Sequence, residues 1–152
     1  MLKYKLSQID IISKKIIKKI QDNDCLFLTG EIGTGKTTFT RSLINQLQKK
    51  NKVKKTDVLS PTFNILYEYK IRKLKIMHYD LYRIKKSLEV KELGIFNDLE
   101  KSIKIIEWPK IISLNVRDRL EISFYYSGKK ENERKIKVQG FGEWKGFKIN
   151  DI

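Results

Sequence analysis

The stretch Cys25-Leu26-Phe27-Leu28-Thr29-Gly30-Glu31-Ile32-Gly33-Thr34-Gly35-Lys36-Thr37 is a short apolar run that opens into a glycine-rich turn and closes on a lysine and a threonine. From Gly30 to Thr37 it satisfies the phosphate-loop pattern G-x-x-x-x-G-K-[ST] at every fixed position. Glycines allow backbone N–H groups to curl around phosphate oxygens, and a helix that follows adds its positive N-terminal end. In such a loop Lys36 reaches the β- and γ-phosphates of a nucleoside triphosphate, and the Thr37 hydroxyl is placed to ligate Mg²⁺. The run Cys25 to Thr29 predicts a strand buried on both faces. Beyond Lys36, the residues Phe39, Leu43, Ile44 and Leu47 fall on one helical stripe, with Arg41, Asn45, Gln48 and Lys49 off it. Strand, loop and helix together are the setting a phosphate cradle requires. A plain turn would leave the lysine and threonine after the last glycine unexplained.

Working outward, Leu6, Ile9, Ile12, Ile16 and Ile20 recur at helical spacing, so Met1 to Lys5 leads into an amphipathic helix that Ser7 is placed to cap. Gln48 to Asp57 reads as a polar loop, followed by a second strand that Ser60-Pro61-Thr62-Phe63 follows. Asn64 to Tyr69 and Leu74 to Tyr79 predict an antiparallel hairpin turning near Ile71-Arg72-Lys73. Ser87 to Leu93 predicts a short helix ended by Gly94, and Ser102 to Glu107 a strand stopped by Trp108-Pro109. Arg119 to Tyr126 and Lys135 to Val138 form a last pair around Ser127-Gly128. The expected fold is α/β, a P-loop NTPase-like mixed sheet flanked by helices, in one domain over residues 1–152.

Composition sets outer bounds. The formal charge is +15, from 33 basic and 18 acidic residues, yet the chain contains no alanine and lysines occur from end to end. Lys14, Lys15, Lys18 and Lys19 lie early; Lys129, Lys130, Lys135 and Lys137 lie late. A solvated lysine surface and a real attraction to RNA or an acidic partner explain this equally. No run approaches the roughly 20 apolar residues that span a bilayer, and the start lacks the apolar core of a signal peptide, so the expected location is the cytoplasm. The single cysteine, Cys25, excludes an internal disulfide and a cysteine-cluster metal site.

Phosphoryl chemistry also needs a carboxylate for the metal and a group that positions the attacking water. Glu107 ends the mostly apolar strand Ile103-Lys104-Ile105-Ile106, the logic of a Walker B segment with Glu in place of Asp; an exposed strand-end acid is the alternative. Asp80 ends the other candidate strand, where alternation puts Ile76, His78 and Asp80 on one face, and it reads either as a metal or water-orienting residue or as a strand-end cap. His78, the only histidine, suits a packed and hydrogen-bonded core residue better than a base. In Ser60-Pro61-Thr62-Phe63 the Thr62 hydroxyl is a candidate sensor of the γ-phosphate, with a simple proline turn as the alternative. Arg83 suits a pair with an acid or contact with phosphate. The candidate nucleotide contacts are thus Gly30, Glu31, Ile32, Gly33, Thr34, Gly35, Lys36, Thr37, Thr38 and Thr62.

Several of these segments together resemble one family, the small bacterial ATPase of tRNA threonylcarbamoyladenosine biosynthesis of the TsaE (YjeE) type. The matching residues are Leu28 through Arg41, then Val58-Leu59-Ser60-Pro61-Thr62-Phe63, His78-Tyr79-Asp80-Leu81-Tyr82-Arg83, Glu92-Leu93-Gly94 and Ile105-Ile106-Glu107-Trp108-Pro109, in matching order and spacing. The resemblance covers about residues 7–126 and implies a P-loop fold, ATP and Mg²⁺ as cofactors, and hydrolysis coupled to two sugar-kinase-like partners, TsaB and TsaD. It implies that Thr37, Glu107 and Asp80 serve the metal, that Asp80, Lys36 and Glu107 serve catalysis, and that the threonylcarbamoyl transfer itself occurs on a partner. Glu31 stands where the family usually has Asp, and Thr34 where it commonly has Ala; both are variable positions of the loop pattern. Residues 127–152 match no motif and read as a partner-docking tail or a local extension. A small-molecule kinase would share the loop but needs an arginine-rich lid, and the six arginines are scattered; a nucleotide-holding switch without hydrolysis is the other rival.

Overall fold

Strand β2 (Cys25–Thr29) sends Leu26 and Leu28 into one hydrophobic core and Cys25 and Phe27 into another, so the sheet that contains it is covered on both sides. The computed structural model describes residues 1–97, 100–112, 116–128 and 131–149. The other elements are β1 (Leu2–Lys5), α1 (Ile9–Ile17), α2 (Lys36–Lys50), β3 (Leu66–Ile71), β4 (Leu74–Asp80), α3 (Ser87–Glu92), β5 (Ile103–Glu107), β6 (Arg119–Tyr126) and β7 (Glu133–Phe141). The seven strands lie in the order β1-β7-β6-β2-β5-β4-β3. The central four, β6, β2, β5 and β4, run parallel, and the remaining pairings are antiparallel. This is the expected mixed α/β sheet.

Helices α1 and α2 cover one face. Ile12 and Ile16 meet Leu43, Ile44 and Leu47 there, over Ile76, Ile105, Leu120 and Ile122 of the sheet. A buried polar seam joins the two helices: the Ser13 and Ser42 hydroxyls are 2.6 Å apart, and Ser42 Oγ donates to Asp10 Oδ1. The opposite core gathers Phe27, Met77, Tyr79, Val90, Ile95 and Ile106. Burial there pushes the Cys25 thiol up to about 12, which leaves it an inert core residue.

Four expectations need correction. The N-terminus does not lead straight into a helix: Leu2–Lys5 pairs with β7 as an edge strand. Ser7 does not cap α1. It lies in a 3-10 turn over Leu6–Gln8, where Gln8 Oε1 accepts the Lys5 N–H, and α1 begins at Ile9. The expected strand leading into Ser60 does not form, because side chains take the backbone groups that a ladder would use. Gln48 Oε1 accepts from Thr56 N, Arg41 Nε donates to the Val58 carbonyl, and Leu59 N donates to the Tyr69 hydroxyl. Finally, of the two readings of the C-terminal segment, the described residues fit the local extension and not the tail: β7 extends to Phe141, and Trp144 beyond it is buried in the main core. A Cβ on Gly140 would overlap the Trp144 carbonyl, so that position admits only glycine. Lys129 and Lys130 lie outside the described residues.

Candidate nucleotide site

The loop after β2 is shaped by three glycines in the left-handed region, at φ 140°, 80° and 110° for Gly30, Gly33 and Gly35. Gly30 is fixed further by close approach to backbone, and Gly33 lies under a side-chain tip. A Cβ on Gly30 would overlap the Phe124 carbonyl oxygen, and one on Gly33 would lie 2.6 Å from the Tyr126 hydroxyl. That hydroxyl donates to the Ile32 carbonyl at 2.7 Å and so pins the crest of the loop to the end of β6. Within the loop, Thr34 is buried and its hydroxyl donates to the Glu31 carbonyl at 2.7 Å. Glu31, Ile32 and Thr38 are exposed. Helix α2 then starts with no side chain capping its first turn and no acidic residue in it. Its unpartnered N–H groups and positive dipole end therefore face the concavity of the loop, the arrangement that receives phosphate.

Lys36, in the first turn of α2, is buried and folds back on the loop. Its Nζ donates to the carbonyls of Gly30 at 2.8 Å and Glu31 at 3.0 Å, and sits 4.2 Å from the centre of the Trp108 ring. Burial lowers the pKa of this ammonium, while the Glu107 and Asp80 carboxylates act in the opposite direction. Trp108 follows β5 in a left-handed conformation, donates its backbone N–H to the Leu28 carbonyl, and packs at a tilt against Tyr82, ring centres 4.9 Å apart.

The two candidate carboxylates meet at the C-terminal edge of the parallel strands. Asp80 and Glu107 are register partners on β4 and β5, and Glu107 is also opposite Leu28 on β2. Both are buried. Glu107 Oε1 accepts from the Thr37 hydroxyl at 3.1 Å and lies 2.9 Å from His78 Nε2. Asp80 Oδ1 accepts from Tyr82 N at 2.9 Å, the strand-end capping role, while Oδ2 accepts from the Thr62 hydroxyl at 3.3 Å. Thr62 in turn lies 2.7 Å from the Ser60 hydroxyl. The loop, both acids and Thr62 are thereby joined in one constellation. Arg83 departs from expectation, since it donates to the Phe63 carbonyl and lies against the Phe63 ring rather than reaching an acid.

A hydroxyl against a carboxylate offers the hard oxygen donors that Mg²⁺ takes, and Mg²⁺ in phosphate sites ordinarily needs only one or two protein carboxylates. Beside the loop lies a cavity of about 520 Å³, walled by Gly30, Glu31, Thr34, Trp108, Tyr125 and Tyr126. Its size and aromatic walls suit a small organic ligand. Sequence reasoning missed Trp108 and Tyr126 as site residues. Trp108 had a signal, an aromatic residue wedged between a strand-end acid and a proline; Tyr126 had none, because it reaches the loop across 94 residues of chain. Away from this edge, Lys14, Lys18, Lys49 and Lys50 border a groove between α1 and α2.

Comparison with known proteins gives a consistent result. Residues 4–136 match the family described as "Threonylcarbamoyl adenosine biosynthesis protein TsaE". A Rickettsia prowazekii protein named tRNA threonylcarbamoyladenosine biosynthesis protein TsaE is 42% identical over 100 residues, covering 66% of this chain and 67% of that protein. The match to a Rickettsia felis protein of the same name spans 57% of its length. An Aquifex aeolicus protein, again with that name, is 30% identical over 132 residues, covering 84% of this chain and 85% of the relative. Among solved structures, Bacillus subtilus YdiB is similar with a TM-score of 0.64 and 26% identity, over 93% of this chain and 86% of that one.

Proposed function

Since the chain belongs to the TsaE family, we propose that it is a Mg²⁺-dependent ATPase serving the formation of threonylcarbamoyladenosine in tRNA. The observation that carries this reading is the convergence of Thr37, at the start of α2, on Glu107, at the end of β5, beside an uncapped helix terminus. The loop amides and the dipole of α2 bind the β- and γ-phosphates. Lys36 exchanges its two carbonyl partners for phosphate oxygens, a trade in which its ammonium gains charged acceptors in a dry site. Thr37 and Glu107 hold the metal, with Asp80 close by. Mg²⁺ held by Thr37 and Glu107 would supply positive charge to the phosphates. Asp80, steadied by Tyr82 N and Thr62, orients the attacking water. The cavity beside Trp108 and Tyr126 takes the nucleoside.

Free phosphate is the product of this reading, with no acceptor phosphorylated. The cycle then acts on an interface. The segments around the site display exposed apolar side chains, Ile32 on the loop, Leu59 and Phe63 around Thr62, and Tyr82 after Asp80. Exposed apolar groups in such segments suit a protein partner that responds to the nucleotide. TsaB-like and TsaD-like proteins are the proposed partners, and the threonylcarbamoyl group is transferred on them. The test is Lys36→Ala: ADP affinity by calorimetry should fall at least tenfold, and phosphate release with both partners present should cease, while the circular dichroism spectrum is kept. Unchanged affinity and turnover would refute the assignment.

A further inference from the structure

His78 is the only histidine of the chain and is fully buried on β4. Its Nε2 lies 2.9 Å from Glu107 Oε1, whereas its Nδ1 is buried without a hydrogen-bond partner among the described residues. These two facts assign the tautomer. An ionised carboxylate only accepts, so the ring proton is on Nε2; a proton on Nδ1 would be a buried donor with nothing to receive it. One ring nitrogen is committed to Glu107, and the other has no hydrogen-bond partner among the described residues. A core-filling role explains this poorly. An apolar side chain would fill the same space without leaving a buried nitrogen unsatisfied, so what the imidazole adds is the N–H on Glu107.

That contact matters because of what else touches the same oxygen. Thr37 and His78 both donate to Oε1, and they are the hydrogen-bond partners of the Glu107 carboxylate among the described residues. Thr37 is itself a proposed metal ligand. A cation would take a lone pair of its hydroxyl oxygen and leave the O–H free to donate, but the direction of that O–H would then be set by the cation, whereas Nε2–H restrains the carboxylate independently of the metal. We propose that His78 is a positioning residue: through Nε2–H it holds Glu107 in the orientation that completes the metal site, touching neither nucleotide nor metal itself. The proposal rests on the reading of this site as a Mg²⁺–nucleotide site. Partners that orient a ligating side chain from behind are typically worth about 10–100-fold in metal affinity.

Two variants and one spectrum test it. His78→Leu keeps the bulk and deletes the donor; His78→Gln restores an N–H from a side chain of similar reach. The Mg²⁺ concentration that half-saturates tight ADP binding, measured by calorimetry, should rise about 10–100-fold in His78→Leu and return most of the way in His78→Gln. ADP affinity in EDTA should stay within about twofold in both, since the phosphate loop is untouched. In the wild type a single histidine gives one set of imidazole ¹⁵N signals, which should report the Nε2–H tautomer and shift when Mg²⁺ is added to the ADP-bound protein. A wild-type Mg²⁺ requirement in His78→Leu overturns the proposal, as does an equal loss of ADP affinity in EDTA, which marks a merely structural residue. If His78→Leu does not fold, an Nδ1–H tautomer in the wild type overturns it independently. Absence of any Mg²⁺ dependence in the wild type would instead remove the reading on which it rests.

Discussion

Trp144 gives the sharpest test of how the C-terminal segment is built into the fold. The side chain is 1% exposed, its ring meets Phe147 edge-on at 5.1 Å, and Nε1–H donates to Asp24 Oδ1 at 2.9 Å. Truncating a buried Trp to Ala costs about 3–5 kcal/mol, and a hydrogen bond to a charged group contributes about 1.5–3 kcal/mol. Trp144→Phe keeps most of the apolar contact and deletes the donor, so we expect a loss of about 2 kcal/mol. Trp144→Ala should lose about 5 kcal/mol, a large share of the roughly 5–15 kcal/mol by which domains are stable. Equilibrium urea unfolding at pH 7 measures both.

Acid adds a second readout. Burial raises the Asp24 pKa, and the Trp144 bond is one of the contacts that lower it. A carboxyl whose folded pKa is raised favours the fold most when protonated, and this contribution is lost as pH rises through the folded pKa. Trp144→Phe raises that pKa further, so its deficit should be larger at pH 7 than near pH 4. Asp24 precedes β2 and the phosphate loop follows it, five residues or about 17 Å along the strand. ADP affinity of the folded variants should therefore match wild type. A Trp144→Ala cost below about 1 kcal/mol, or a changed ADP affinity, would refute this account.

Glu107→Gln retains an oxygen for Thr37 and His78 and relieves the burial of a charge, so stability should change by no more than about 1 kcal/mol. Mg²⁺-dependent ATP binding and partner-stimulated phosphate release should nevertheless drop at least tenfold; a variant that keeps both would show the acid to be structural. For Lys36 the prediction concerns alkaline pH, because phosphate binds the ammonium and the pKa of that group is already lowered by burial. Nucleotide affinity should begin to fall below the ordinary lysine pKa of about 10.4, approaching tenfold per pH unit, and Lys36→Arg should remove that limb. The same shift means that folding of the free protein gains from this residue as pH rises through the window below the unfolded lysine value. An affinity profile that is flat to pH 10.4 would contradict it.

Legibility followed the range of the interactions. The phosphate loop was readable because its glycines, its lysine and its threonine act within eight residues, and the α2 stripe because helical periodicity is local. Strand β1 was not, since four residues from Leu2 to Lys5 carry too little alternation to stand out, and their partners on β7 begin at Glu133. The segment before Ser60 contains a buried Val58, which reads as strand, yet Gln48, Arg41 and Tyr69 claim its backbone. Trp144 lies in a glycine-rich stretch with Phe141 and Phe147, and its place is set by distant partners, the main core and Asp24. His78 was read as a packed and hydrogen-bonded residue. It is both, and its partner is the residue read separately as the metal carboxylate.

The mutual geometry of the site is a property of strand order. β2, β5 and β4 are neighbours in the sheet although they are distant in sequence, so the loop end, Glu107 and Asp80 fall within successive interstrand spacings of about 4.8 Å. Alternation along β5 then decides which side of the sheet Glu107 faces. Ile103 and Ile105 belong to the core under α1 and α2, as do Ile76 and the strand positions beside them, and Glu107 continues that series toward Thr37. A slip of one residue would turn Glu107 to the opposite face together with Ile103 and Ile105, and bring Lys104 and Ile106 to the face of α1 and α2. Ile105 and Ile106 are both fully buried, each in a different core, so the slip would misplace apolar groups on both sides at once. The apolar residues of β5 thus hold the register that aims its terminal acid, which is how a strand with no polar contact to the phosphate loop before its last residue comes to define the metal side of the site.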